Sequence, residues 1–577
     1  MPAMPRQDSS QRAWWFPPAG SWIGIAFIAL VALAWFAGIG SRPLNEPDEG
    51  RYAEIAREMF VSGDWVMPRF NGLRFYDKPP LHYWITTASY HAFGITQLTA
   101  RLWSALAGLI CVAAAWYATR RVWDARRGRL AALVCISLLL VAAGGHLNTL
   151  DMGVTAFLTV ALATFMIAEH GCTDAVARRR WILATWAAMA LAILSKGLIG
   201  IVLPGATLVG YMLWQRDGSL LRRLHILPGL LILLLVASPW FVLLARRDGN
   251  FLSFFFIHEH FGRFLSQVAD RNHAWWYYLP VLVVGTLPWT GFLVTSLRSA
   301  WRRSTSERDA PTRLLLLWAA IVLLFFSAAG AKLPLYVLPV LPALAMLIAG
   351  AITQLSPRAI ARRLLPVAAL AIIGAAFVAW LPHTHLLGGK NATYVPMCNP
   401  VALSMLLLGA GTGAGVVLAR RAKVDAAIAA AALGGLLFVQ GMLFAYQRLA
   451  PVVSAQSISA LARPYLRDDA PVYAVQRFQR GMPFYLQRRI TLVDERPYDL
   501  RAGMAWDPDL SLPDLASFTS DWNSHPGALA FMRMGTFTTL SAQQLPMRIV
   551  ANQAGTLVVQ NPLPQRAPID SMATPAQ

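Results

Sequence analysis

Apolar runs of about 20 residues recur from residue 20 to about residue 447, and each is long enough to cross a hydrocarbon core as a helix. In lipid every backbone N–H and C=O must find its partner within the chain, so these runs read as helices. The alternating strands of a closed barrel do not occur. The 577 residues are 56% hydrophobic and only 14% charged, outside the range of soluble domains. The first apolar run follows Arg12 and has no clear cleavage site, so it is expected to remain as a helix rather than leave as a secretory signal.

Charge orients the helices. A formal net charge of +21 would suggest nucleic acid in a soluble protein. Here the arginines cluster in short loops between apolar runs, which marks the cytoplasmic side, and no nucleic-acid partner is expected. With the N-terminus inside, about thirteen spans place every cluster inside. They lie near 20–38, 100–118, 130–147, 153–169, 181–195, 198–214, 226–244, 277–297 and 426–447, with one pair framing Lys332 and another framing 383–399. The expected frame is a transmembrane domain over 1–449, including an outer segment 39–98, followed by a small outer α/β domain over 450–577. Four cysteines without paired spacing support neither a disulfide framework nor a Cys-based zinc site.

Composition changes after residue 450. "PVYAVQ", "GMPFYLQRR" and "ITLVDE" read as short strands, "SLPDLASFTS" as the start of a helix, and "MRIVANQAGTLVVQN" as a hairpin turning at "NQAG".

The outer segment 39–98 carries the densest chemistry. "NEPDEGRYAEIAREMF" sets Glu46, Asp48, Glu49, Arg51, Glu54, Arg57 and Glu58 directly after a span, with Ile55, Met59 and Phe60 giving it the pattern of an amphipathic helix. Glu54 and Glu58 are four residues apart and need a basic partner. "EPDEGRYAEIAREM", followed by "WVMP", a glycine and "FYDKPPLHYW", resembles the membrane glycosyltransferases related to protein O-mannosyltransferases, and is especially similar to the family of lipid A aminoarabinose transferases. The resemblance implies a GT-C membrane fold, an undecaprenyl-phosphate-linked sugar as donor, lipid A as acceptor and a catalytic acidic residue in the first outer loop. It also implies a bacterial inner-membrane enzyme, expected to be a monomer among membrane lipids, with its active site on the periplasmic side.

The residue types suit that chemistry. An acceptor oxygen must attack an anomeric carbon while a polyprenyl phosphate departs. A carboxylate at the attack site takes a proton or stabilises positive charge, and Arg or Lys neutralises the leaving phosphate. Asp48 is the expected catalytic carboxylate, with Glu46 and Glu49 as competitors and a charged helix cap as the alternative role for Asp48. Arg51 and Tyr52 are expected at the phosphate or sugar, or else packed at the interface. Four of the five lysines, including Lys78 and Lys196, map outside against the usual bias, so these two are expected donor contacts, with capping of outer helix ends as the alternative. Arg263 in "FFFIHEHFGRFLSQ" and Tyr336 in "GAKLPLYVLPVLPALA" join them, an aromatic-belt role suiting Tyr336 equally well. Asp151, Glu259 and His260 are expected to organise the acceptor side.

"HEH" at 258–260 is not a zincin spacing. The resemblance nevertheless implies a divalent metal such as zinc between Asp77 and His258, in a structural rather than a catalytic role. Transfer of another polyprenyl-linked sugar, and transport of a lipid or solute, are the competing readings.

Overall fold

The computed structural model of the protein describes residues 22–262, 273–305 and 309–563. The chain forms two compact units, one made of Met1–Arg42 and Tyr76–Leu449, the other of Pro43–Phe75 and Ala450–Gln577. The outer segment is therefore divided after Phe75.

The first unit is a helical bundle. Eight described helices are long and apolar enough to cross a membrane, among them Gln97–Val122, Leu150–His170, Ile226–Arg247 and Ala310–Ala328. Two further pairs, Ala125–Ser137 with Leu139–Gly145 and Tyr278–Gly285 with Thr290–Ser304, qualify only when joined across bends of 66° and 112°. The second bend contains Pro288, which has no N–H to continue the helical ladder. The described residues thus hold eight to ten spans by length and composition, against about thirteen read from charge alternation. The expected spans near 20–38 and 198–214 fall on shorter apolar helices, Gly24–Phe36 and Ile199–Gln215. The one near 181–195 falls in Ala175–Lys196, whose first turns carry Arg178, Arg179 and Arg180.

Small residues let the helices approach. A Cβ on Gly411 would sit 2.5 Å from the Gly434 Cα, so Val395–Arg420 and Val424–Tyr446 touch backbone to backbone there. The Trp35 ring fills the space above Gly108 and Gly145, where a Cβ on either glycine would lie 2.6 Å from it. Arg101 is fully buried and donates to the carbonyls of Ile39 (3.0 Å) and Arg42 (2.6 Å), which satisfies the chain as it leaves the first helix.

The second unit is α/β. Strands β1 (Arg69–Phe70) and β2 (Leu73–Arg74) form a hairpin around Asn71 and Gly72, both at positive φ, the Asn-Gly pair that a two-residue hairpin turn favours. The main sheet comprises β3 (Val472–Val475), β4 (Thr491–Val493), β5 (Ser511–Leu512), β6 (Leu529–Met532), β7 (Arg548–Gln553) and β8 (Thr556–Gln560), in spatial order β5-β4-β3-β6-β8-β7. Strands β3 to β6 are parallel, whereas β8 runs antiparallel to β6 and closes the expected hairpin with β7 through Ala554 and Gly555. Tyr473, Phe518, Trp522, Met532 and Leu557 centre its core. The expected helix begins at Leu515, capped by Asp514, which accepts from the Ser517 N–H at 2.8 Å. "GMPFYLQRR", expected as a strand, instead forms the helix Met482–Leu486. Pro483 at its first turn has a φ suited to a helix start and no N–H to give a ladder.

Candidate active site

In the second unit the site is built on the helix Asp48–Ser62, which begins with two carboxylates where unpaired amides favour negative charge and ends at Gly63 with φ +69°. Gly50 sits against the backbone of Gly481, where a Cβ would come within 2.6 Å of the Gly481 Cα. That contact lets the Glu46 carboxylate accept from the N–H groups of Arg480 and Gly481, both at 2.7 Å.

A chain of charges follows from this docking. Arg51 is paired with Asp48 through one terminal nitrogen and donates through the other to Asp499 at 2.8 Å. Arg480 donates to the opposite oxygen of Asp499, also at 2.8 Å. The Arg51 guanidinium lies 4.9 Å from the Tyr52 ring centroid, so Tyr52 backs the arginine. Burial would raise the Asp499 carboxyl, but Arg480 and Arg51 outweigh it and hold it down to about 2. Burial pushes Glu46 up to about 7 against its two backbone bonds. Asp48 keeps 34% of its side chain exposed against 7% for Asp499, so Asp48 is the carboxylate of this pair that a substrate can reach.

The same helix carries a second acidic group. Arg57 grips both oxygens of the fully buried Glu54 at 2.6 and 2.7 Å, and Glu58 accepts from the Gly72 N–H with both of its oxygens. Glu54 therefore has its basic partner three residues on, while Glu58 fastens the β1–β2 turn. Burial, reinforced by the Glu54 charge, raises Glu58 to about 8. The folded state then holds a proton there that the unfolded chain has already lost near its ordinary pKa of 4.5. Stability from Glu58 is complete below that value and declines as pH rises towards 8. Asp499, with its lowered pKa, loses its contribution only in acid. Thermal unfolding of the purified protein is expected to fall between pH 5 and 8, with a shallower fall in Glu58→Gln; an unchanged slope would contradict the assignment.

In the first unit "YDKPP" is fastened to the later outer loop at two points. The Tyr76 hydroxyl donates to Asp248, and Lys78 donates to Glu259 at 3.2 Å and to the Asp77 carbonyl at 2.8 Å. Phe251, Phe255 and Trp240 pack edge to face or tilted, with ring centroids 5.3 to 6.4 Å apart, and anchor the π-helical turn Ser253–Gly262 that carries Glu259. Pro79 and Pro80 precede the helix Leu81–Phe93 and stiffen the approach to it. Glu259, expected to organise the acceptor, is thus the partner of Lys78, and it is nearly inaccessible. The side chains of His258 and His260, and all of Arg263, lie outside the described residues.

A second cationic centre joins three expected residues. Lys196, the last residue of Ala175–Lys196, is paired with Asp151 in the first turn of Leu150–His170. Its ammonium lies 4.4 Å from the Tyr336 ring centroid, so Tyr336 supplies an aromatic face to the cation. Among the described residues no three His, Cys, Asp or Glu side chains form a metal-ligand group; Asp77 is half-buried, with its carbonyl on the Lys78 ammonium.

Sequence reasoning missed Arg480 and Asp499, which lie more than 400 residues from Arg51 in the chain. No local pattern marks them.

Residues 77–243 match the family described as dolichyl-phosphate-mannose-protein mannosyltransferase, and residues 458–561 match the aminoarabinose transferase C-terminal domain. The chain is 35% identical over 354 residues to undecaprenyl phosphate-alpha-4-amino-4-deoxy-L-arabinose arabinosyl transferase 2 of Pseudomonas fluorescens, an alignment covering 58% of this chain and 59% of that protein. It is 32% identical over 503 residues to the corresponding Pseudomonas aeruginosa transferase, covering 82% and 89% of the two chains. The crystal structure of ArnT from Cupriavidus metallidurans bound to undecaprenyl phosphate superposes with a TM-score of 0.87 at 35% identity, over 97% of this chain and 100% of that one. The polytopic GT-C architecture and the small C-terminal sheet domain agree with that likeness. On this agreement of sequence and fold, the chain belongs to the aminoarabinose transferase family.

Proposed function

We propose that this protein is an inverting glycosyltransferase that moves 4-amino-4-deoxy-L-arabinose from undecaprenyl phosphate to a phosphate group of lipid A. The observation that carries the reading is Asp48, an accessible carboxylate fixed through Arg51 to the buried Asp499 in a member of this family. An acceptor phosphate oxygen attacks the anomeric carbon, the bond from that carbon to the donor phosphate breaks, and undecaprenyl phosphate leaves with the bonding pair. An ionised acceptor has no proton to lose. Asp48 then orients it or stabilises the oxocarbenium-like carbon, and Arg51 keeps the carboxylate in place.

Lys78, and Lys196 on its aromatic face, are the donor-phosphate cations of this reading, with Arg263 and Tyr52 as further contacts. Tyr336 positions Lys196, while Asp151, Glu259 and His260 order the surrounding loops. Asp77 and His258 would be the residues to hold a divalent ion such as zinc, which would order the loops and take no part in the transfer.

The two shorter apolar helices and Ala175–Lys196 join the ten spans and bent pairs to give thirteen crossings. On that count and the inward bias of the arginine clusters, we read the N-terminus as cytoplasmic and the site and C-terminal domain as periplasmic, in a monomeric enzyme of a bacterial inner membrane.

In proteoliposomes, donor consumption should require lipid A and release one undecaprenyl phosphate per sugar transferred. Consumption of a differently glycosylated donor alone would favour another sugar. Movement of intact donor without release would favour transport.

A further inference from the structure

The sheet of the second unit has a topological switch point. From β3 the chain proceeds to β4 and β5 on one side, then returns to β6 on the other. In open α/β sheets such a reversal leaves a crevice at the carboxyl ends of the strands, where ligands bind.

Polar side chains line this edge. Gln476, the residue after β3, donates to Asp494 at 2.6 Å and accepts from Thr536 at 2.9 Å, which spans the gap between the ends of β3 and β6. Arg477 is steadied by its Nε donating to the Thr556 hydroxyl at 3.1 Å, and Arg533 is the exposed residue that follows β6. Glu495, beyond β4, lies within electrostatic reach of Arg477, Arg480 and Arg533. Two buried acceptors on these loops, Glu495 Oε2 and Gln479 Oε1, have no donor among the described residues, and Gln479 is only 9% exposed. A buried acceptor without a donor is costly unless something else supplies one.

The arginines here continue those of the catalytic helix. Arg480 shares Asp499 with Arg51 and also reaches Glu495, so the basic groups run from Asp48 to the switch point within one compact unit.

Guanidinium groups suited to a phosphate, beside carboxylate and amide oxygens that lack donors, match a phosphorylated saccharide: its phosphate takes the arginines and its hydroxyls or amine supply the missing donors. We propose that the carboxyl edge of β3 and β6, with Arg477 and Arg533, binds the phosphorylated saccharide of the acceptor at a phosphate other than the one receiving the sugar. This rests on the reading of lipid A as acceptor.

The test uses the full-length protein and compares bisphosphoryl with monophosphoryl lipid A. Arg533→Gln should raise KM for the bisphosphoryl acceptor about tenfold, the effect of losing one charge-assisted hydrogen bond, with kcat little changed. The wild-type preference for the second phosphate should disappear in the variant. Arg548→Gln, which removes the same charge from the first residue of β7 at the opposite end of the β6 strand, should keep that preference. Equal losses on both acceptors, a fall in kcat alone or an equal effect of Arg548→Gln would overturn the proposal. So would competition by inorganic phosphate alone at submillimolar concentration, which would mark a general anion site.

Direct binding of the two lipids without donor separates this proposal from the reading beneath it. Discrimination retained by a protein that transfers no sugar would leave this site standing and the transferase reading lost. Transfer without discrimination would do the reverse.

Discussion

Asp48→Asn protein should fold, bind undecaprenyl-phosphate donor and transfer sugar about 10²-fold to 10⁴-fold more slowly than wild type, with the loss in kcat. The amide is isosteric and keeps an oxygen for Arg51, while Arg51 keeps its second bond to Asp499, so the helix start has no reason to move. What disappears is a negative charge with a third of its side chain open to a substrate. Glu46 is spent on two backbone N–H groups, and the buried Glu49 accepts from the Asn45 N–H at 3.0 Å, so neither neighbouring carboxylate can substitute. Single-turnover rates with saturating donor, alongside thermal unfolding, separate chemistry from folding. A variant within threefold of wild type would remove Asp48 from the reaction.

Arg57→Ala should destabilise the second unit by about 3–5 kcal/mol, the scale expected when one member of a buried ion pair is deleted. Glu54 has no exposed surface, and Arg57 holds both of its oxygens. Without the guanidinium, the burial that already displaces the Glu54 pKa upward loses its main opposing interaction. Glu54→Gln in the same chain should recover part of the loss, because no charge is then stranded. Thermal or denaturant unfolding of the detergent-solubilised protein measures both. A single-variant effect under 1 kcal/mol would mean that water reaches the pair.

The spans were legible because a hydrocarbon core demands length and apolarity together: the run expected near 100–118 lies within Gln97–Val122, and that near 153–169 within Leu150–His170. The hairpin at "NQAG" was legible because Ala554 and Gly555 take the positive φ that such a turn needs. Met482–Leu486 was misread as a strand because a short apolar run has no resolvable period. The Lys196–Asp151 pair joins two residues singled out separately, since an unpaired charge near a span needs a partner but the sequence does not name it. Arg480 and Asp499 were beyond reach because they act only after the C-terminal sheet has formed and Gly481 has met Gly50.

Mass spectrometry of lipid A after incubation with purified protein and undecaprenyl-phosphate aminoarabinose tests the central claim most directly. The account predicts a mass gain of one or two aminoarabinose groups that depends on the donor and disappears in Asp48→Asn protein. Unmodified lipid A from folded, donor-binding wild-type protein would contradict it.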